Sequence, residues 1–268
     1  MKEYKTNLAA QLAGCFMLIM FVLLAAHYAG AQVVFDSAST NGGTVPIVNG
    51  SGQQSIIETP YQFGDEVVLD LGTPPVDAFT VSGYGTSVVL TNFEFEYYVM
   101  ETNKSPTTHL LTGPAWKVDL KFYANDGPQY GTNTDGTPFY TPGTLLYDST
   151  PVSISGPGTL GFNTLDFNLT NSTFKNGGVL VPLDFTWTVT FGGGATNIGN
   201  TYGLPLFTLN SPGTAGIGTD YTEYWENTNG GWADILNTNG EGAFGAQATA
   251  GATNDTTLPS VTTWASSV

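Results

Sequence analysis

The chain has no arginine. Its six basic residues are all lysines, they stand against 22 aspartates and glutamates, and the formal net charge is −16 at pH 7. Nucleic acids and anionic lipid surfaces are held mainly through lysine and arginine, so this balance excludes both as partners. Cysteine is scarcer still: the single one, Cys15, lies in the N-terminal apolar run. The remainder has neither disulfides nor thiolate metal ligands, and its stability must come from core burial. Of the two histidines, His27 leaves with the same run and His109 sits in the polar stretch Thr107-Thr108-His109. One histidine cannot build a multi-histidine zinc site, and no G-x-S-x-G elbow accompanies it for a serine triad. His109 is therefore expected at the surface. No window reads as an amphipathic helix, and no internal repeat is present.

What is present begins with an export signal. Lys2 and Lys5 precede an apolar run, roughly Ala13–Ala26, that ends in the small-residue site Ala29-Gly30-Ala31. That order is a cleavable secretory signal over residues 1–31, and the run is short for a membrane span. An uncleaved anchor is the alternative. Leu12-Ala13-Gly14-Cys15 has the form of a lipobox but precedes most of the apolar run, which makes the match a coincidence. The mature protein is expected to be secreted, extracellular or in the cell envelope, with no membrane span after cleavage.

Thirty-four glycines, fifteen prolines and many threonines and asparagines point to strands joined by turns. Val181–Phe191 alternates over its whole length, with Val181, Leu183, Phe185, Trp187, Val189 and Phe191 apolar and Pro182, Asp184, Thr186, Thr188 and Thr190 between them. A period of two predicts a half-buried strand with one face on a core and the other in water. Thr91–Met100, Trp116–Phe122 and Leu165–Leu169 show the same pattern. Lys117 and Lys121 share a polar strand face, and they would offset Glu94 and Glu96 if the two strands were neighbours. The expected fold is all-β, an antiparallel β-sandwich of jelly-roll or Ig-like kind with about ten to thirteen strands. It would form one domain over residues 32–250, followed by a mobile tail over 251–268. Asn125–Gly143 is long for a hairpin connection, and is either a functional surface loop or a tolerated insertion.

Several segments carry a resemblance: VDLKFYANDGP (Val118–Pro128), PGTLLYDS (Pro142–Ser149), GFNTLDF (Gly161–Phe167), VPLDFTWTVTF, GLPLF (Gly203–Phe207), the Asp220–Trp232 region and AFGAQATA (Ala243–Ala250). In their order they are similar to exported β-sandwich proteins of environmental bacteria, of the PEP-CTERM-associated type. The resemblance implies a secreted β-sandwich and no particular reaction. After Ala250 the chain carries no Pro-Glu-Pro motif, apolar helix or basic cluster, so sorting to the envelope by that signal is not implied.

The candidate binding cluster is Asp220, Tyr221, Glu223, Tyr224, Trp225, Glu226, Trp232 and Asp234. Aromatic faces beside carboxylates suit a sugar, whose apolar ring faces stack while polar groups orient its hydroxyls. Tyr221, Tyr224, Trp225 and Trp232 are the candidate carbohydrate ligands; as packing residues of a hairpin they would look the same. Calcium is a second candidate, at Asp126 in Asn125-Asp126-Gly127 and Asp135 in Asn133-Thr134-Asp135-Gly136. Neither stretch completes an EF-hand pattern, and both are turn signals. Glycoside hydrolysis asks for two carboxyl groups about 5–9.5 Å apart. Glu94 with Glu96 and Glu223 with Glu226 are formal pairs of that kind, without a motif behind them. The expected function is a non-catalytic extracellular structural, adhesive or matrix-associated protein, whose partner is a polysaccharide or a cell-surface or matrix protein. A carbohydrate-binding module is the alternative, and a glycoside hydrolase comes third.

Overall fold

Phe93, Phe95 and Tyr97 alternate with Glu94, Glu96 and Tyr98 in a strand far longer than its neighbours, β6 (Gly85–Glu101), which is the spine of the first sheet. The computed structural model describes residues 31–38, 44–46, 56–58, 61–72, 76, 78–101, 116–133, 135–154, 161–171, 178–193, 200–209, 216–228, 231–236 and 243–251. Residues 1–30 of the expected export signal, His109, and the expected tail after Gly251 lie outside these residues. Along one edge of β6 run β5 (Ala78–Val81), β19 (Ala246–Ala250) and β15 (Asn200–Pro205). Along the other run β13 (Val179–Pro182) and β12 (Gly161–Asn168). β1 (Gln32–Asp36) and β3 (Ile56–Glu58) close the sheet at its ends.

The second sheet has the order β10 (Leu145–Asp148), β7 (Trp116–Ala124), β14 (Asp184–Gly193), β4 (Gln62–Val68), β17 (Thr219–Thr228), β18 (Gly231–Leu236), and β11 (Val152–Ile154) also pairs with β7. Two two-stranded pairs complete the fold: β2 (Thr44–Pro46) with the sequence-distant β16 (Phe207–Leu209), and the hairpin of β8 (Gln129–Thr132) with β9 (Pro138–Tyr140). Every pairing is antiparallel. The all-β sandwich expected from the alternation is the fold observed. The described residues form nineteen strands instead of ten to thirteen, because three-residue pieces such as β2, β3, β9, β11 and β16 are too short to show a period.

The apolar positions of the two spines meet between the sheets. The Phe93 ring lies 5.0 Å from Phe122 and 5.2 Å from Trp187, and Phe95 stacks 5.8 Å from Trp187. Such aromatic pairs add to the area they bury, and the interdigitation fixes which face of each sheet points inward. Close backbone approach matters at Gly64, where a Cβ would stand 1.9 Å from the Trp187 carbonyl oxygen on β14.

Three expectations change here. The stretch Val181–Phe191 is not one strand: β13 belongs to the first sheet and β14 to the second, and the chain crosses between them at Leu183. The Leu183 N–H donates to Thr86 of the first sheet and its carbonyl accepts from Leu69 beside the second, so its backbone is satisfied on both sides. The threonines of β14 do not meet water either. Thr186 and Thr188 are fully buried, because other parts of the chain cover the outer face of this sheet. The lysines, finally, do not neighbour Glu94 and Glu96. Lys121 pairs with Asp119 and Asp148, 3.2 Å from each, on the second sheet, whereas Glu94 and Glu96 lie on the outer face of the first.

Candidate functional site

The long connection between β7 and β10 covers the outer face of the second sheet at Trp225 and Thr186, while Gln62 and Tyr123 cover Thr188. The stem of the connection is closed by backbone bonds from Gly127 N–H to the Thr141 carbonyl and from Gly143 N–H to the Ala124 carbonyl, 3.0 and 2.8 Å. Asp126 ties the same stem by accepting from the Thr144 N–H and hydroxyl, at 2.6 and 2.7 Å. A Cβ on Gly143 would lie 2.3 Å from the Asp126 carboxylate, and one on Gly127 2.2 Å from Thr141 Oγ1. The connection is thus an anchored flap, and β8 and β9 form its hairpin. At the tip, Asp135 accepts from the Thr137 N–H and hydroxyl at 2.9 and 2.6 Å, which holds its carboxyl below the usual range. Asp126 and Asp135, the two calcium candidates, sit at opposite ends of the flap and cap its backbone. No group of three or more histidine, cysteine or acidic side chains able to hold a metal occurs among the described residues.

The flap rests on Trp225. Tyr130 meets the indole edge-on at 5.2 Å and Phe139 lies 6.5 Å away. Trp225 is 2% exposed, a floor under the flap and no free stacking ring. Its Nε1–H donates to Glu66 Oε2 at 3.1 Å. Glu66 stands opposite Thr186 and Asp184 opposite Val68 in the β4–β14 ladder, so both acids project from the same face. Their carboxyls share a hydrogen bond. Asn125 completes the chain: its Nδ2 donates to Asp184 Oδ1 at 2.7 Å, and its Oδ1 accepts from the Thr186 hydroxyl at 2.6 Å. Asp184 is an exposed residue, yet its carboxyl is partly withdrawn from solvent against Asn125 and Glu66. That burial pushes its acidity range upward, against the pull of the bonds with Asn125 and Glu66.

Between flap and sheet lies a cleft of about 310 Å³. Glu66, Asn125 and Asp184 supply its polar wall, Phe139, Tyr140 and Tyr221 its aromatic wall, and Trp225 its floor. Tyr140 is 38% exposed at the rim. The volume is at the small end of ligand sites, and the mixture of rings with a few placed polar groups is typical of them.

The pleat divides the cluster read from the sequence. Asp220 pairs with Val67 and Tyr224 with Asp65, and the register shift between them bulges β17 and carries Tyr221 to the cleft. Tyr224 turns inward onto Phe244, 5.3 Å away, and burial pushes its hydroxyl up to about 12. Asp220 is also fully buried, against Asp65. Trp232 stays on the outer face, beyond the cleft, edge-on to Tyr123 at 5.4 Å. Asp234 stands opposite Trp225 in the β17–β18 ladder. Glu226 faces Phe63 in the β17–β4 ladder, and the Glu223 side chain lies outside the described residues. So Tyr221 and Trp225 come together, while Tyr224 and Trp232 do not join them.

Of the other formal pair, Glu96 is buried against Gly245 and Glu94 is half-buried, pushed up by its own burial and by the charges of Asp166, Glu96 and Asp36. Glu66, Asn125, Tyr140 and Asp184 were invisible as a site in the sequence. Asp184 stands out as a carboxylate in a threonine face, but its meeting with Glu66 depends on which strands pair. Comparison of the chain with family models, curated proteins and solved structures gave no match, so what the cleft does must follow from its own geometry.

Proposed function

We propose that this is a non-catalytic extracellular β-sandwich that holds a neutral polysaccharide in the cleft beneath the flap, and that adhesion to a cell-surface or matrix glycan follows from it. The observation that carries the reading is the convergence of aromatic rings (Phe139, Tyr140, Tyr221) and a hydrogen-bonded polar chain (Asn125, Asp184, Glu66) on one cleft. A pyranose offers an apolar face to the first and hydroxyls, which both donate and accept, to the second. Among the described residues the charged groups in the cleft wall are acids, which repel uronates and sulfated sugars and favour uncharged ones. The same two carboxyls touch each other. Hydrolysis needs a separation of about 5–9.5 Å so that a glycosidic bond can lie between them, and this arrangement positions a sugar instead of cleaving it. The export signal over residues 1–31 and the acidic, arginine-free composition support an extracellular setting.

The test is retention of the full mature chain on insoluble cellulose, xylan and chitin, with alginate as the acidic control. Retention on a neutral polymer that falls about tenfold in Tyr140→Ala and in Glu66→Gln, with unchanged melting, is the expected result. Equal retention by the variants, a preference for alginate, or release of reducing ends from any of the polymers would overturn it.

A further inference from the structure

The cleft has a neighbour. A second hollow, of about 320 Å³, opens on the other side of Asn125 and Asp184, which line both. Its remaining wall comes from Ala124 and Asp126 at the stem of the flap, from Pro182 and Leu183, where the chain crosses between sheets, and from Gly83 and Tyr84 of the β5–β6 turn with Thr86 at the start of β6. That turn has a reason for its shape. Gly83 and Gly85 have φ of 91° and 69°, and the Tyr84 N–H bonds back to the Val81 carbonyl at 3.1 Å, which places the tyrosine ring at the hollow. The order along the surface is then a ring (Tyr84), a polar bridge (Asn125 with Asp184) and rings again (Tyr140, Tyr221). The bridge has groups to spare. The Asn125 amide has a second N–H beyond the one given to Asp184, and carboxylate oxygens accept more than one hydrogen bond each; both groups line the two hollows, where a hydroxyl can reach them.

We propose that the two hollows form one groove for a linear neutral oligosaccharide, with at least one sugar in each and the Asn125–Asp184 bridge bonding to the sugars on both sides. The inference rests on the glycan reading above and adds that the ligand is a chain and not a single sugar. A chain that spans both hollows gains the second at the cost of little further ordering, so affinity must rise with length until both are filled.

The experiment is calorimetric titration of the full mature chain with cello-, xylo- and malto-oligosaccharides from the monosaccharide to the hexasaccharide. For the series that binds, affinity should climb with length and then level off. Tyr84→Ala should lower affinity for the longest member about tenfold while leaving the shortest binding member unaffected. Because Tyr84 is half-buried, Thr86→Arg, at an exposed position, blocks the same hollow without touching the core and should have the same effect. Affinity independent of length, or length dependence that survives both variants, would overturn the groove while leaving single-cleft glycan binding intact. No binding by any series, together with no retention on the insoluble polymers, would overturn both.

Discussion

Asp65 and Asp220 are two carboxylic acids buried side by side between the sheets, a costly arrangement unless they share a proton. Burial first, and then the charge of Asp220, push Asp65 well above the ordinary carboxylate range, although the N–H groups of Phe244 and Glu66 pull it back. In the unfolded chain the same group ionises near its usual value of about 3.9. Above that value the unfolded chain has released a proton that the folded chain keeps. The contribution of this pair to stability is therefore complete in acid and is lost as pH rises through the folded range, the reverse of an exposed carboxylate. Melting temperature should fall as pH rises above the unfolded-state carboxylate value of about 3.9. Asp220→Asn, which replaces the shared proton by an amide donor and removes one charge, should make that fall shallower; an equally steep fall in the variant would assign the pH dependence to other groups. Ser87 is a second residue out of keeping with its surroundings: its hydroxyl is 1% exposed and finds no hydrogen-bond partner among the described residues. Ser87→Ala should raise the free energy of unfolding in a denaturant titration by about 1 kcal/mol, because nothing compensates the buried hydroxyl. A loss of stability would show that the hydroxyl is satisfied after all.

At the scale of elements, the flap is held at its stem and not by its own hairpin. β8 and β9 are four and three residues long, too short to stand alone. Asp126 and the close approaches at Gly127 and Gly143 fix where the flap leaves and rejoins the sheet. Asp126→Ala should free the stem, reduce neutral-glycan retention severalfold and shift the melting temperature by only a few degrees, since the core lies on the other side of the sheet. A large drop in melting temperature with retention unchanged would make Asp126 a structural residue alone. This element also marks how far the sequence was legible. The length of Asn125–Gly143 raised the question of function, but nothing local says that it folds back over β14 and β4. Strand existence followed from alternation at Phe93–Tyr97, Val118–Phe122 and Phe185–Phe191. Pairing did not: Glu66 and Asp184 are neighbours only through the β4–β14 register, and a period of two carries no information on partners. The crossing at Leu183 was hidden for a related reason, because a bend between two sheets keeps the same alternation on either side.

For the whole molecule, two antiparallel sheets bury an aromatic core, and a flap converts the outer face of one sheet into a lined groove. The other outer face carries Glu94, Glu96, Asp166 and Asp36, where burial and then the charges of the three neighbours raise Glu94. That difference between faces makes the account directly testable by hydrogen–deuterium exchange of the protein, with and without a soluble neutral polysaccharide that it retains. The account predicts slower exchange in the flap, 125–143, and in the turn at 82–86, with the amides of β12 and β1 unchanged. Protection confined to β12 and β1, or none at a concentration that saturates binding, would contradict a glycan site beneath the flap.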